Sequence, residues 1–381
     1  MEFTEEQNML RDTIRKLCRE KVAARAVEAD ESGEYPWDIH RVFVENGLFK
    51  IRVPAEYGGV PMDAASVCIV VEEIARADGG SAITIVHHLA GLGCFLEGAS
   101  AEQRGRCLPR VGRGDYLVGF ALTEPGAGSD AFALGTRAVP SADRDGYVLN
   151  GRKCFISNAG LTDLYVIFAT LDPSRRREGV TAFLVEKDTA GFSVGKAERK
   201  MGLRTSPTRD LLFEDMWLPV ENRLGQEGKG WEIVLRSLTD TRVLIAAMSL
   251  GIAEAALEAA VRYAREREQF GRAIASFQGV SFMLADMAIQ VECARALIGQ
   301  LTSSMDRGQR NQPYLASVAK CFSSDMAMKV TTDAVQVLGG YGYTRDYPVE
   351  KMMRDAKATQ IIEGTNQIQR VQIARNLLKM Y

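Results

Sequence analysis

The pattern of apolar and polar positions changes twice along the chain. Through "MLRDTIRKLC", "IHRVFVENGLFK", "AASVCIVVEEIARAD" and "AITIVHHLAGLGCFL" apolar residues return every three to four positions, with Gly and Pro between the runs. "TEEQ" at 4–7 reads as a capping box: Thr4 accepts from the Gln7 amide while the Gln7 side chain reaches back, so a helix starts there. After Asp115 the runs shorten and become rich in β-formers, as in "YVLNGRKCFIS", "LYVIFATL", "TAFLVEKD" and "DLLFEDMWL". Turn clusters such as "DRDG" and "DPSRRREG" separate them, which predicts a compact antiparallel domain. From Trp231 helical spacing returns in long Ala-rich segments, apolar nearly all round, that must be buried in a bundle or a subunit interface. The expected division is 1–115 helical, 116–226 β and 227–381 helical.

Composition narrows the function classes. At 381 residues the chain can bury a large core, and 46% hydrophobic with 25% charged residues is ordinary for a globular protein. Lys plus Arg number 47 against 49 acids, so there is no basic excess to draw a nucleic acid by counterion release. Seven scattered cysteines without a CxxC pair read as buried thiols in a reducing compartment, and three histidines without an HExxH pattern give no metal site. The first residues lack the apolar core of a secretory leader, and no apolar run approaches the roughly 20 residues of a membrane span, so a cytoplasmic protein without membrane insertion is expected.

Four stretches carry candidate chemistry. "FALTEPGAGSD" (120–130) joins a strand end to a loop in which Gly126 and Gly128 let backbone amides approach a ligand, with Thr123, Ser129 and Asp130 as polar contacts; an ordinary glycine-rich turn is the alternative. It lacks the third glycine of a dinucleotide fingerprint, "LGGYGYTRD" (338–346) follows a helix, and no P-loop is present, so neither a Rossmann fold nor a nucleotide hydrolase is supported. "YAREREQFGRAIASFQ" (263–278) sets Arg265, Arg267 and Arg272 near a helix end, either as phosphate partners or as a solvated face with a glycine stop. His87 and His88 sit in an apolar run, as satisfied core histidines or facing a cavity. In "KATQIIEGTNQIQR" (357–370) the single acid Glu363 is either a helix-start carboxylate or a base whose pKa the apolar Ile361 and Ile362 help to raise.

Together these stretches resemble the acyl-CoA dehydrogenase family over essentially the whole chain. "ALTEPGAGSD" (121–130) looks like the family's first signature, "QVLGGYGYTRDYPVEKMMRD" (336–355) like its second, and "IIEGTNQIQR" (361–370) is similar to the segment that carries its catalytic base. The resemblance implies an α+β multidomain fold: an N-terminal all-α domain, a middle antiparallel β domain and a C-terminal four-helix bundle. It implies FAD held between the last two, in a homotetramer built as a dimer of dimers. The implied activity is dehydrogenation of an acyl-CoA substrate to the trans-2-enoyl-CoA in fatty acid β-oxidation. Glu363 would take the α-proton and flavin N5 the β-hydride, with the electrons passing to an electron-transferring flavoprotein. A processed eukaryotic form would sit in the mitochondrial matrix.

Carried over residue by residue, Phe120, Leu122, Thr123 and Ser129 would line the flavin, with Phe155, Ile156 and Ser157 on the next strand. Arg267, Gln278, Gln336, Gly339 and Gly340 would reach a neighbouring subunit's FAD, and Thr365 and Gln367 the subunit's own. Substrate contacts fall to Ser129, Thr239, Arg242 and Gly364. "LTDTR" departs from the pattern, with Thr239 where many relatives have Asp and Asp240 one place later. Thr241 precedes the arginine, so the alternative base position of some relatives holds no acid. An oxidase or a glutaryl-type dehydrogenase of the same fold, or a noncatalytic scaffold, are the competing expectations; a flavin monooxygenase need not keep Glu363.

Overall fold

The computed structural model describes residues 3–309 and 312–380. Six helices come first: α1 (Glu5–Leu17), α2 (Ala23–Ser32), α3 (Trp37–Glu45), α4 (Ala64–Ala77), α5 (Gly79–Gly98) and α6 (Ala101–Val111). The Thr4–Gln7 capping box forms, both bonds at 3.2 Å. Asp63 and Asp78 cap α4 and α5 by accepting from the amides of Ser66 and Ser81.

The middle of the chain folds into β1 (Val118–Ala121), β2 (Arg137–Pro140), β3 (Gly146–Ser157), β4 (Leu164–Thr170), β5 (Val180–Glu186), β6 (Phe192–Ala197), β7 (Thr208–Pro219) and β8 (Arg223–Leu224). They make one sheet in the order β6-β7-β3-β2-β4-β5-β8, with β1 also beside β4. The antiparallel expectation needs one correction. Val118–Ala121 of β1 runs parallel to Leu164–Ile167 of β4, and β2 touches β4 in parallel at Arg137 and Thr170. Two strands and their turns lie between β1 and β4, so the chain has the length for a crossover where a hairpin would impose the antiparallel sense.

The last part holds α7 (Gly230–Glu266), a small hairpin of β9 (Glu268–Gln269) and β10 (Arg272–Ala273), then α8 (Gln278–Asp306), α9 (Pro313–Leu338), α10 (Val349–Thr359) and α11 (Asn366–Met380). Three long helices are thus joined by a fourth stretch that residues 360–365 break into α10 and α11, both packed on α9. Gly271 is not a helix stop. It follows Phe270 in a two-residue hairpin turn with both residues at positive φ, 54° and 76°, the geometry that matches strand twist.

The two helical parts share one core, in which Ile14, Val71 and Ile85 pack with Leu244, Ala256 and Val330. The sheet has a core on each face, one closed by α5, α6 and the start of α7 through Leu92, Phe95, Cys107 and Ile233. Here a second expectation fails: α5 and α7 are each long and apolar enough to cross a membrane. Within the fold, 94% of the apolar window of α5 and 78% of that of α7 are buried, because both are central helices wrapped by others.

A close backbone approach sets the sheet on this core. A Cβ on Gly91 of α5 would lie 2.5 Å from the Gly119 Cα in β1. Replacing a mid-helix glycine by alanine ordinarily stabilises by about 1 kcal/mol, but overlap with three atoms of rigid backbone falls in the upper part of the overpacking range, about 2–3 kcal/mol. Gly91→Ala should therefore lower the melting temperature by about 2–4 °C; an unchanged or higher value in a thermal melt would show that β1 and α5 separate freely.

Candidate active site

The site begins at the break between α10 and α11. The amides of Ile361 and Ile362 still bond back to Ala358 O, after which Glu363 and Gly364 both turn left-handed, with φ of 54° and 86°. For glutamate this conformation is uncommon and persists only where surroundings enforce it. Gln369 Nε2 donates to Glu363 O at 3.1 Å and to Gly364 O at 2.9 Å, and Lys320 Nζ of α9 donates to Gly364 O at 2.9 Å. Asn366, fixed by Ser324 and Asp325, accepts from the same ammonium at 2.9 Å. The cap of α11 is Thr365, whose Oγ1 accepts from Ile368 N at 3.3 Å and whose carbonyl accepts from Gln369 N. Glu363 is therefore not spent on capping.

Its carboxylate turns toward α7, where Thr241 Oγ1 donates to Glu363 Oε2 at 2.8 Å. Arg242, the next residue, is buried, and its Nε has no partner. Burial raises the Glu363 pKa above the usual carboxylate range, although the Thr241 hydroxyl and the charges of Arg242 and Lys320 pull the other way. Burial likewise lowers Arg242 and brings Lys320 down to about 8. The source of the dry setting meets the sequence expectation only in part. Ile362, next to Glu363, is partly buried against the helical core, but Ile361 is 56% exposed, so the remaining walls come from α7 and α9.

The substrate candidates divide. Arg242 and Gly364 adjoin the carboxylate. Thr239 is buried and its hydroxyl donates to Leu235 O of its own helix at 3.1 Å, which leaves only lone pairs for a ligand. Ser129 lies exposed on the loop after β1. Asp240 is held by Arg52 at 2.8 Å.

A second set of residues gathers on the sheet. Phe120 stacks on His87, ring centroids 5.3 Å apart, and Phe120 O accepts from His87 Nε2 at 3.3 Å. His88 is a satisfied core histidine, accepting from Val118 N and donating to Phe49 O; burial holds both imidazoles down to about 4, hence neutral. Thr123 O accepts from Cys154 N, which brings the loop beside β3. There a bulge against β7 turns Phe155 outward at φ 57°, with 66% of it exposed. Ile156 points inward instead. Its side chain belongs to the sheet core, so only its main chain is open to contact, while Ser157 is half-buried.

Sequence reading missed the support of this loop. Lys153 is wholly buried and donates to Leu122 O at 3.0 Å and Glu124 Oε1 at 2.7 Å, and Glu124 in turn accepts from the amides of Gly135 and Thr136. Its one sequence signal was a lysine in an otherwise β-type run, which also fits an exposed edge. Lys320 was missed for a similar reason, as one of two lysines in a helix, ahead of the motif that begins at Gln336.

A third set stands apart. Arg267, Gly339 and Gly340 line a pocket of about 470 Å³ with Tyr263, Tyr341 and Thr344, and neither Glu363 nor the sheet residues reach it. Gln278 and Gln336 are exposed and outside its lining, and Gln367 is exposed on α11, near half-buried Thr365.

Comparison with known proteins finds all three parts. Residues 4–115, 119–216 and 228–378 match the N-terminal, middle and C-terminal domains of acyl-CoA dehydrogenases. The chain belongs to the acyl-CoA dehydrogenase family. An acyl-CoA dehydrogenase of Bacillus subtilis is 46% identical over 379 residues, 99% of each chain. The butyryl-CoA dehydrogenase of Megasphaera elsdenii superposes with a TM-score of 0.96 at 40% identity, over 99% of both chains. A chain from structural work on the electron transferring flavoprotein of Acidaminococcus fermentans, towards a mechanism of flavin-based electron bifurcation, matches at 0.96 and 44% with the same coverage.

Acyl-CoA dehydrogenases are FAD-dependent, and this family member's residues fit a flavin. Phe155 offers an exposed ring locked by the bulge, beside a loop tied to a buried ion pair. Nothing stands within 4 Å of a Cβ placed on Gly126, Gly128, Gly339 or Gly340, so backbone there is open to close approach.

Because the folded pKa of Glu363 lies above its unfolded value, its contribution to stability is full below the unfolded pKa and is lost as pH rises through the folded one. Glu363→Gln keeps the group neutral. Its melting temperature should exceed that of the parent by a margin that opens as pH rises above the unfolded carboxylate range and levels off above the folded pKa, and a margin independent of pH would show that the carboxylate is not desolvated.

Proposed function

We propose that this chain dehydrogenates short- to medium-chain acyl-CoA thioesters between Cα and Cβ, with Glu363 as the base that removes the α-proton. The observation that carries this reading is a carboxylate held by Thr241 Oγ1 at 2.8 Å on an enforced left-handed turn, its pKa raised by burial. An α-hydrogen of a thioester is weakly acidic, so its base must have a pKa lifted toward neutrality and the incipient enolate must be stabilised. The Glu363 N–H donates to no group among the described residues, which leaves it free to polarise the thioester oxygen. Once Glu363 has taken the proton, Arg242 and Lys320 remain as two cations without a carboxylate between them, and negative charge on the substrate replaces it.

Bound FAD would supply the acceptor for the β-hydrogen and its electron pair. Phe120, Leu122, Thr123, Ser129, Phe155, the main chain of Ile156 and Ser157 would hold it, with Thr365 and Gln367 from the turn side. The pocket of Arg267, Gly339 and Gly340, separate from Glu363, is read as what one subunit offers its neighbour's cofactor in a homotetramer, with Gln278 and Gln336 beside it. Likeness to the Acidaminococcus chain supports an electron-transferring flavoprotein as acceptor, and likeness to the Megasphaera enzyme supports a short acyl chain.

The test is anaerobic mixing of the flavin-loaded protein with acyl-CoAs of increasing length, followed at the flavin absorbance. Wild type should bleach fastest with a short or medium chain, and Glu363→Gln should bleach at least about 10²-fold more slowly while keeping its flavin. Equal bleaching by the variant would place the base elsewhere, and rapid peroxide formation in air would make the protein an oxidase. Thr241→Val removes a hydrogen bond that favours the ionised form, so the acid limb of kcat/KM should move to higher pH with the plateau less affected. An unmoved limb would mean that the hydroxyl does not touch the working carboxylate.

A further inference from the structure

Lys320 has no role in the reading above beyond its charge, yet it is one of the largest wholly buried side chains in the protein. Burying an ammonium costs several kcal/mol unless its hydrogen bonds are made, and a methionine would fill the same space without that penalty. Its two partners are the Gly364 carbonyl and Asn366 Oδ1, each at 2.9 Å. The first belongs to the turn that carries Glu363, and the second opens α11 directly after it. Asn366 is itself locked, donating to Ser324 Oγ at 2.9 Å and Asp325 Oδ1 at 2.7 Å, so the ammonium is braced between α9 and the turn rather than hanging from it.

We propose that Lys320 is a positioning residue for the dehydrogenation, holding the left-handed Glu363–Gly364 turn by its carbonyl and lending the charge against which Glu363 gives up its proton. The proposal rests on the reading of Glu363 as the base. The charged and titratable groups around the ammonium support the assignment. Asp325 and Cys321 lie on its own helix, Arg242 faces it from α7, Glu363 from the turn, and Arg370 from α11. Asp325 is already engaged by Arg370 at 2.6 Å, by Gln360 at 2.6 Å and by Asn366. The carboxylate left without a cation of its own in contact is Glu363, and it exerts the strongest pull on the Lys320 proton after burial itself.

This arrangement gives the active site two opposed titrations. Below the Glu363 pKa the base is protonated and idle. Burial brings Lys320 down to about 8, so above that pH the amine still reaches the Gly364 carbonyl but no longer carries the charge that steadies carboxylate and enolate. A bell-shaped profile follows, with Glu363 on its acid side and Lys320 on its basic side.

The test uses the flavin-loaded holoenzyme, with butyryl-CoA as probe, in Lys320→Met and Lys320→Gln forms. Both variants should lose the basic limb near pH 8 and move the acid limb up by about one pH unit, with flavin content retained. Lys320→Gln keeps an amide donor for the turn and should recover part of the rate lost in Lys320→Met without restoring either limb. A loss of rate with both limbs unmoved means that Lys320 only packs, and overturns the proposal. A second measurement needs no turnover: the melting-temperature difference between Lys320→Gln with and without Glu363→Gln, followed against pH, reports the titration of Glu363 directly. Its midpoint should lie above that of the same comparison in the parent, and an unmoved midpoint sinks the role of Lys320 whatever the substrate. Failure of every acyl-CoA to bleach wild type would instead sink the functional reading, while the melting comparison still decides Lys320.

Discussion

The carboxylate of Asp78 is shared by all three parts of the chain. Its Oδ2 caps α5 by accepting from Ser81 N and Oγ and also accepts from Thr205 Oγ1 of the β domain at 2.8 Å, while Oδ1 accepts from Lys351 Nζ of α10 at 2.6 Å. Lys351 reaches on to Asp355 at 2.7 Å, and Asp355 takes the Leu203 amide at 2.6 Å. Burial opposes charge on every member, yet the ion pairs hold Asp78 below and Lys351 above their usual ranges. A network of this kind is favourable only when complete, because removing one partner leaves a buried charge with nothing to answer it. It anchors α10 to the other two parts, and the turn that carries Glu363 follows from the end of that helix.

The same logic recurs at smaller scale wherever the protein prepares for a ligand. Lys153 and Glu124 are buried beneath the loop that presents Thr123, and Lys320 and Asn366 lie against the turn that presents Glu363. In each case a strained or open stretch of backbone is tied to an interior ion or amide rather than to solvent. Rigidity is gained where a ligand must find preformed geometry, and the cost is carried by groups whose charged forms the interior disfavours.

Much of the architecture was legible in the sequence because it follows from periodicity. The helical, β, helical succession and the Thr4 capping box needed only spacing and local hydrogen bonding. The proposed base, Glu363 with Gly364 after it, stood out as a motif, but its surroundings were not legible. Ile361, two residues before the carboxylate, is exposed to solvent, whereas Thr241, 122 residues away, makes the contact. Pairings distant in sequence leave no local trace, which is why Lys153 and Lys320 drew no attention and why the inward turn of the Ile156 side chain was not foreseen. The parallel sense of β1 and β4 is hidden for the same reason, since strand composition carries no direction.

The length of α7 has a consequence for the making of the protein. Its apolar surface is covered chiefly by α9, together with α4 and α5. The earlier helices are at hand when α7 leaves the ribosome, but α9 follows 47–72 residues behind its end. At 5–20 residues per second that side stays bare for roughly 4–14 s, far longer than the microsecond in which a helix forms. A nascent chain at this stage displays a continuous apolar rod as long and as apolar as a membrane span. Until α9 closes over it, that face is open to association with other apolar surfaces.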